Sequence, residues 1–156
     1  MLRPCLLLVA ALCLGATAHA QYAAREPAGT LSDLTFVEAV GLTGLRLLAE
    51  DPVKRETGRR LTDALALTLA TSTLLKEVTH EARPAPYQAE DDAFPSGHAA
   101  VSFAIAAALS AREVRATWIA YPLAAANSWS RLSLHKHTWA QVLAGAALGT
   151  FLGRQA

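Results

Sequence analysis

Apolar and polar positions along this chain repeat at helical rather than strand spacing. Between Leu31 and Ala49, residues Leu34, Val37, Leu45 and Leu48 fall on one helical stripe. Asp51-Pro52 reads as an N-cap followed by proline at the first helical position. The second helix is predicted from there towards His80, charged from Lys54 to Arg60 and apolar from Leu61 to Leu75. Arg83-Pro84-Ala85-Pro86 stops it, because proline lacks a donor and disfavours helix in the residue before it. A short loop, Ala85 to Pro95, holds Glu90, Asp91 and Asp92. A third helix begins near Ser96 and carries Ala99 to Ala111. A fourth spans Val114 to Ser130 with Pro122 inside it, and a fifth runs from Thr138 to Phe151. No stretch alternates like a strand and no repeat is present, so the pattern predicts an all-α fold, a compact bundle of about five helices.

The N-terminus carries a different signal. Arg3 precedes an apolar run from Cys5 to Gly15, and Ala18-His19-Ala20 is a small-x-small cleavage site. Residues 1–20 are expected to be a Sec-type signal peptide, cut after Ala20. The run is shorter than the roughly 20 residues of a membrane span. A lipoprotein site at Cys13 is excluded because Leu12 stands where a small residue is needed. Residues 21–30 then read as a flexible leader and 31–156 as the helical domain. Both cysteines, Cys5 and Cys13, lie in the signal peptide, so the exported chain has no thiol for a disulfide, a nucleophile or a metal site. The expected destination is the periplasm. Inner-membrane association is the rival, because Ala116 to Ser130 and the helix after it are apolar nearly all round.

Composition adds little to this picture. A hydrophobic content of 53% supplies a core, and with a net charge of +1 nothing suggests a nucleic-acid partner, so none is expected.

Three polar segments interrupt the apolar stretches. In the first, Lys76 and Arg83 are seven residues apart, close to two helical turns, so that both can leave one face. Two converging cations suit a phosphate, the guanidinium as a fork and the ammonium as a point charge. Read alone, the pair is equally a solvated helix surface. In the second, Phe94-Pro95-Ser96-Gly97-His98 opens an apolar helix whose free N–H groups and dipole favour an anion. Ser96 can cap that helix or bond a phosphate oxygen, Gly97 allows close backbone approach, and His98 has a proton-transfer range. In the third, Arg131 ends one helix and His137 begins the next, with Gln141 one turn further on. His80, four residues after Lys76, can face the same pocket but reads rather as a partly exposed residue near a helix end, and His135 is expected to face solvent.

The pattern K-x6-R-P, P-S-G-H, S-R-x5-H resembles the three-part signature of the type 2 phosphatidic acid phosphatase superfamily, from Lys76 to about Gly149. That group includes lipid phosphatases, periplasmic non-specific acid phosphatases and vanadium haloperoxidases. The resemblance implies that Lys76, Arg83, Arg131, Ser96 and Gly97 bind the phosphoryl group. It implies that His137 attacks phosphorus and that His98 protonates the leaving oxygen, with no cofactor and no metal. The implied partner is a phosphorylated small molecule or a lipid. The family pattern ends in H-x3-D, whereas this chain has Gln141, which can orient the His137 ring without supplying charge. No acid lies near enough in sequence to replace it. A weakly active or non-catalytic phosphate binder is therefore a further alternative, while a haloperoxidase is disfavoured by the short chain.

Overall fold

The computed structural model describes residues 27–88 and 92–156. The expected signal peptide lies outside them. Among the described residues there are five α-helices and no strand: α1 Pro27–Leu47, α2 Pro52–Thr79, α3 Gly97–Ser110, α4 Thr117–Ser133 and α5 Trp139–Gln155, with a single 3-10 turn, Val114–Ala116, leading into α4. This is the all-α bundle that the helical periodicity predicts.

The boundaries follow local chemistry. Asp51 caps α2 by accepting from Val53 N at 2.8 Å, and Pro52 occupies the first helical position. At the other end His80 turns left-handed, φ 44°, while its N–H still donates to the Lys76 carbonyl. Thr138 caps α5 in a reciprocal box with Gln141, which is why that helix starts abruptly after His137. Two boundaries differ from expectation. Helix α1 opens at Pro27, so the end of the segment read as a flexible leader is helical; proline is well suited to a first helical turn. The fourth helix starts three residues late, after the 3-10 turn, and continues past Arg131 to Ser133.

The packing register shows which helix ends meet. Gly149 and Gly153 of α5 lie against Ala100 and Ala104 of α3, so these two helices run parallel. Helix α4 runs against α3, since Ser102 meets Asn127 and Phe103 meets Tyr121. Helix α2 is also antiparallel to α3, with Leu61 beside Ala108 and Lys76 beside Gly97. One end of the bundle therefore gathers the N-termini of α3 and α5 and the C-termini of α2 and α4.

The α3–α5 contact is backbone against backbone. A Cβ on Gly145 would lie 2.4 Å from the Ser96 carbonyl oxygen, one on Gly149 2.0 Å from that of Ala100, and one on Gly153 2.3 Å from that of Ala104. Helix α3 matches this with a buried run of small residues, Ala99, Ala100, Ala104 and Ala106 to Ala108. Larger apolar groups fill the other side, where Leu61 and Ala64 meet Leu109, and Leu65 meets Ala39 and Val101. Arg46 forks onto Glu113, tying the end of α1 to the start of the 3-10 turn, and Arg60 holds the terminal carbonyl of Ala156 at 2.8 Å.

No described helix is long and apolar enough to cross a membrane. Large apolar side chains are nonetheless exposed on α4 and α5, among them Trp118, Ile119, Trp129, Trp139 and Phe151.

Gly149→Ala should separate α3 from α5 and cost about 3 kcal/mol, the upper range for overpacking a tight core. Gly41→Ala on α1, where an added Cβ meets nothing within 4 Å, should be neutral or stabilising by up to about 1 kcal/mol. Thermal melts of the two variants check this contrast.

Candidate active site

The converging helix ends carry the residues that the motifs single out. Lys76 lies in the last turn of α2, and its Nζ donates to the carbonyl of Asp92 and stands 3.8 Å from Asp92 Oδ2. Arg83 reaches the same acid from the loop after α2, Nε to Oδ1 at 2.8 Å and Nη2 to Oδ2 at 3.1 Å. The expectation that Lys76 and Arg83 share one helix face is thus corrected. Helix α2 ends at Thr79, and the chain folds Arg83 back beside Lys76 through the left-handed turn at His80.

Asp92 sits on the two cations as an internal anion. Its hydrogen bonds from Arg83 hold its carboxyl below the usual carboxylate range. Burial pushes the Lys76 ammonium below its usual range; Asp92 opposes this, while Arg83 and Arg131 add like-charge repulsion. Arg131 is almost wholly buried near the end of α4. The turn that follows is closed by Lys136 N donating to the Arg131 carbonyl at 3.1 Å, with His135 at φ 53°. His80 and His135 are exposed, as expected.

Ser96 is the N-cap residue of α3, yet its side chain makes no capping bond. Its hydroxyl is fully buried and takes no hydrogen bond, while its N–H donates to the Gln141 carbonyl at 3.0 Å. That last bond ties the start of α3 to the first turn of α5. At Gly97 an added Cβ would touch Lys76 Cε at 4.0 Å, so protein packing alone does not demand glycine there. The His98 ring stands edge-on to Phe36, centroids 5.0 Å apart. Burial, then the charges of Arg131, His137 and Arg83, push His98 well below the usual histidine range.

His137 is 4% exposed. Burial, then Arg131, Arg83 and Lys76, lower its pKa to about 3. The ring is therefore neutral at ordinary pH, with a lone pair for attack or ligation. One influence favours a proton on it, the side chain of Gln141 acting as an acceptor.

Gln141 is 1% exposed and bonds Thr138 twice and Glu81 once. Its Oε1 accepts from Thr138 N at 2.8 Å, its own N–H donates to Thr138 Oγ1 at 3.3 Å, and its Nε2 donates to Glu81 Oε1 at 2.7 Å. Glu81 had no role in the sequence reading, nor did Phe36 or Asp92. Thr138-x-x-Gln141 has the spacing of a capping box, a local signal that the sequence reading left unused. The bond to Glu81 spans 60 residues and leaves no local pattern.

The electrostatics predict an acid limit to stability. Both histidines have lower pKa values in the folded chain than the usual 6.5, so below that pH the unfolded chain binds more protons. Stability is then fully present above about 6.5 and falls as pH drops, by about 1.4 kcal/mol per pH unit for each histidine. Asp92 adds to the loss only nearer its usual 3.8. Melting temperatures between pH 6.5 and 4.5 should fall steadily, and His137→Asn should flatten the slope. Added inorganic phosphate, by neutralising the cations, should do the same.

Comparison with known proteins gives a family for the chain. Neither a curated protein nor a solved structure matches the chain. A family model described as the PAP2 superfamily matches residues 59–155, which cover every motif and the four helix ends that meet at the cluster. The chain belongs to the PAP2 superfamily, the type 2 phosphatidic acid phosphatases and their relatives.

Proposed function

We propose that the protein hydrolyses phosphate monoesters through a phosphohistidine on His137. The superfamily acts on phosphorylated substrates, which supports phosphatase-type chemistry. The observation that carries the finer reading is the grouping of Lys76, Arg83 and Arg131 within electrostatic reach of His137, a buried histidine kept neutral. Three fixed cations beside a neutral imidazole fit a transferring phosphoryl group, whose charge must be stabilised while a lone pair attacks.

In this reading the phosphoryl oxygens displace Asp92 from Lys76 and Arg83 and take a third contact from Arg131. The buried Ser96 hydroxyl and the Gly97 N–H, at the positive end of α3, complete the cradle. The Nε2 lone pair of His137 attacks phosphorus as the ester P–O bond breaks, and His98 gives its proton to the leaving oxygen. Water then attacks phosphorus, the P–N bond breaks, and His98 takes the proton from that water. His98 must be protonated for the first step although its pKa is lowered in the free protein. The bound phosphoryl anion raises it by offsetting Arg131 and Arg83.

The exposed apolar residues of α4 and α5 favour a second reading, a membrane-associated phosphatase acting on a lipid such as phosphatidate or a polyprenyl diphosphate. A groove of about 580 Å³ on α5, lined by Leu143, Phe151 and Arg154 among others, lies on that surface, and no residue of the charged cluster lines it. Exported to the periplasm, the protein would meet soluble esters and membrane lipid alike. Co-sedimentation with phosphatidylcholine vesicles carrying phosphatidate, together with release of phosphate from each substrate class, separates the two readings.

His137→Ala should abolish turnover, and labelled phosphate should be trapped on His137 in the unmodified protein. Label on another residue would overturn the assignment. Asp92→Asn should tighten inorganic phosphate binding about fivefold, because a partly exposed ion pair worth about 1 kcal/mol no longer competes. Equilibrium titration with phosphate measures it.

A further inference from the structure

We propose that Glu81 is the carboxylate that serves His137 in place of the acid missing at position 141, acting through the Gln141 amide as a positioning residue. The catalytic half of this proposal rests on His137 as nucleophile; the structural half does not.

The argument begins with the direction of one amide. A carboxylate can only accept, so the 2.7 Å bond to Glu81 Oε1 requires Gln141 Nε2 on that side. The amide oxygen must then face the other way, towards the N–H of Thr138, from which it accepts at 2.8 Å. That oxygen has a second lone pair. His137 Nδ1 is buried and has no hydrogen-bond partner of its own. The unpartnered Nδ1 beside an amide oxygen with a spare lone pair is the observation behind the proposed contact, an Nδ1–H donating to Gln141 Oε1. The side chain of Gln141 also favours a proton on the ring. Glu81 therefore selects the amide orientation, and the amide selects the imidazole tautomer, with the proton on Nδ1 and the lone pair on Nε2. Reversing the amide would set its NH2 group against the Thr138 N–H and leave the Glu81 carboxylate facing an oxygen.

The second contribution is charge. Phosphorylation makes the ring cationic in a place already crowded by Arg131, Arg83 and Lys76. Asp92 is the other carboxylate near the ring, but both its oxygens are engaged by the Arg83 fork. Glu81 places its negative charge one amide away, at the exposed end of a hydrogen-bonded chain whose middle member, Gln141, is buried, and such a chain polarises along its length. The backbone of Glu81 is itself held, since its carbonyl accepts from Ala93 N at 2.9 Å. The crossing that puts Asp92 beside Arg83 thus also puts Glu81 behind Gln141.

The test uses the full-length chain with Glu81→Gln, Glu81→Ala, Gln141→Asp and the Glu81→Gln, Gln141→Asp pair. Two readouts are needed: the His137 tautomer from 15N shifts of labelled histidine, assigned with His137→Asn, and the single-turnover rate of phosphohistidine formation. The unmodified protein should show the proton on Nδ1. Glu81→Gln keeps an acceptor for the amide, so it should keep the tautomer and slow phosphorylation about 10- to 100-fold, the range seen when outer partners of metal-bound histidines are removed. Glu81→Ala should also mix the tautomers. In the Gln141→Asp background two carboxylates would face each other, so there Glu81→Gln should speed phosphorylation. This reversal of sign is not expected of a residue that only supports the fold. Glu81→Ala with an unchanged tautomer, or Glu81→Gln with the same effect in both backgrounds, would overturn the proposal. If no phosphohistidine forms even in the unmodified protein, the phosphatase reading fails, while the tautomer still tests the Glu81 arrangement.

Discussion

The close approach of α5 to α3 is the constraint on which the site depends. Three glycines spaced four apart bring the backbone of α5 against the carbonyls of α3, and they do so in parallel register. Parallel packing puts both helix N-termini at one end of the bundle, where their unpaired N–H groups and positive dipole ends add. Ser96 N bonded to the Gln141 carbonyl locks the relative height of the two first turns. His98 and His137 each lie within one residue or two of those helix starts, so their relation is set by backbone contact rather than by flexible side chains. Preorganisation of this kind is what positions a reacting group at low cost during turnover.

The same end of the molecule is electrostatically costly to the free chain. Three cations lie close together around two histidines that burial keeps neutral. Asp92 offsets part of the repulsion by occupying Lys76 and Arg83, while burial, and after it the nearby cation charge, holds both histidines below their usual range. In the proposed reading a bound phosphate dianion would offset this repulsion among the cations. Elsewhere the bundle is held by ordinary means, small-residue packing inside and ion pairs such as Arg46–Glu113 at the ends of helices.

Much of this was legible in the chain, and the limits have physical reasons. Helix α2 could be bounded almost to the residue because Asp51-Pro52 and the proline cluster after Arg83 act locally. The start of α1 was misjudged because a proline and small polar residues suit a leader and a first helical turn equally well. The charged and imidazole residues of the site could be named because each lies at a helix boundary, where polar groups interrupt an apolar stripe. Their geometry was less accessible. The seven-position step from Lys76 to Arg83 suggested two turns of one helix, whereas a left-handed residue at His80 breaks the helix between them. Asp92 and Glu81 gain their meaning only from folding, one by closing onto Arg83 and the other by meeting a residue 60 positions away.

Gln141 shows how one position can answer two demands. As the third residue of α5 it must reach back to the N-cap N–H, a task suited to Glu or Gln and poorly served by the shorter Asp. In the proposed arrangement it also presents an acceptor to the His137 ring. A carboxylate at this fully buried place would meet the second demand most strongly, but it would have to leave water completely, at a cost of several kcal/mol that only the nearby cations offset. The amide avoids that desolvation and keeps the helix cap. Glu81 is exposed, so it retains its hydration while one oxygen receives the amide. Separating the charge from the contact in this way exchanges some electrostatic leverage on the ring for a more stable start to α5. In a bundle whose site already carries three crowded cations, and whose core is built largely from alanine, that exchange favours the folded chain.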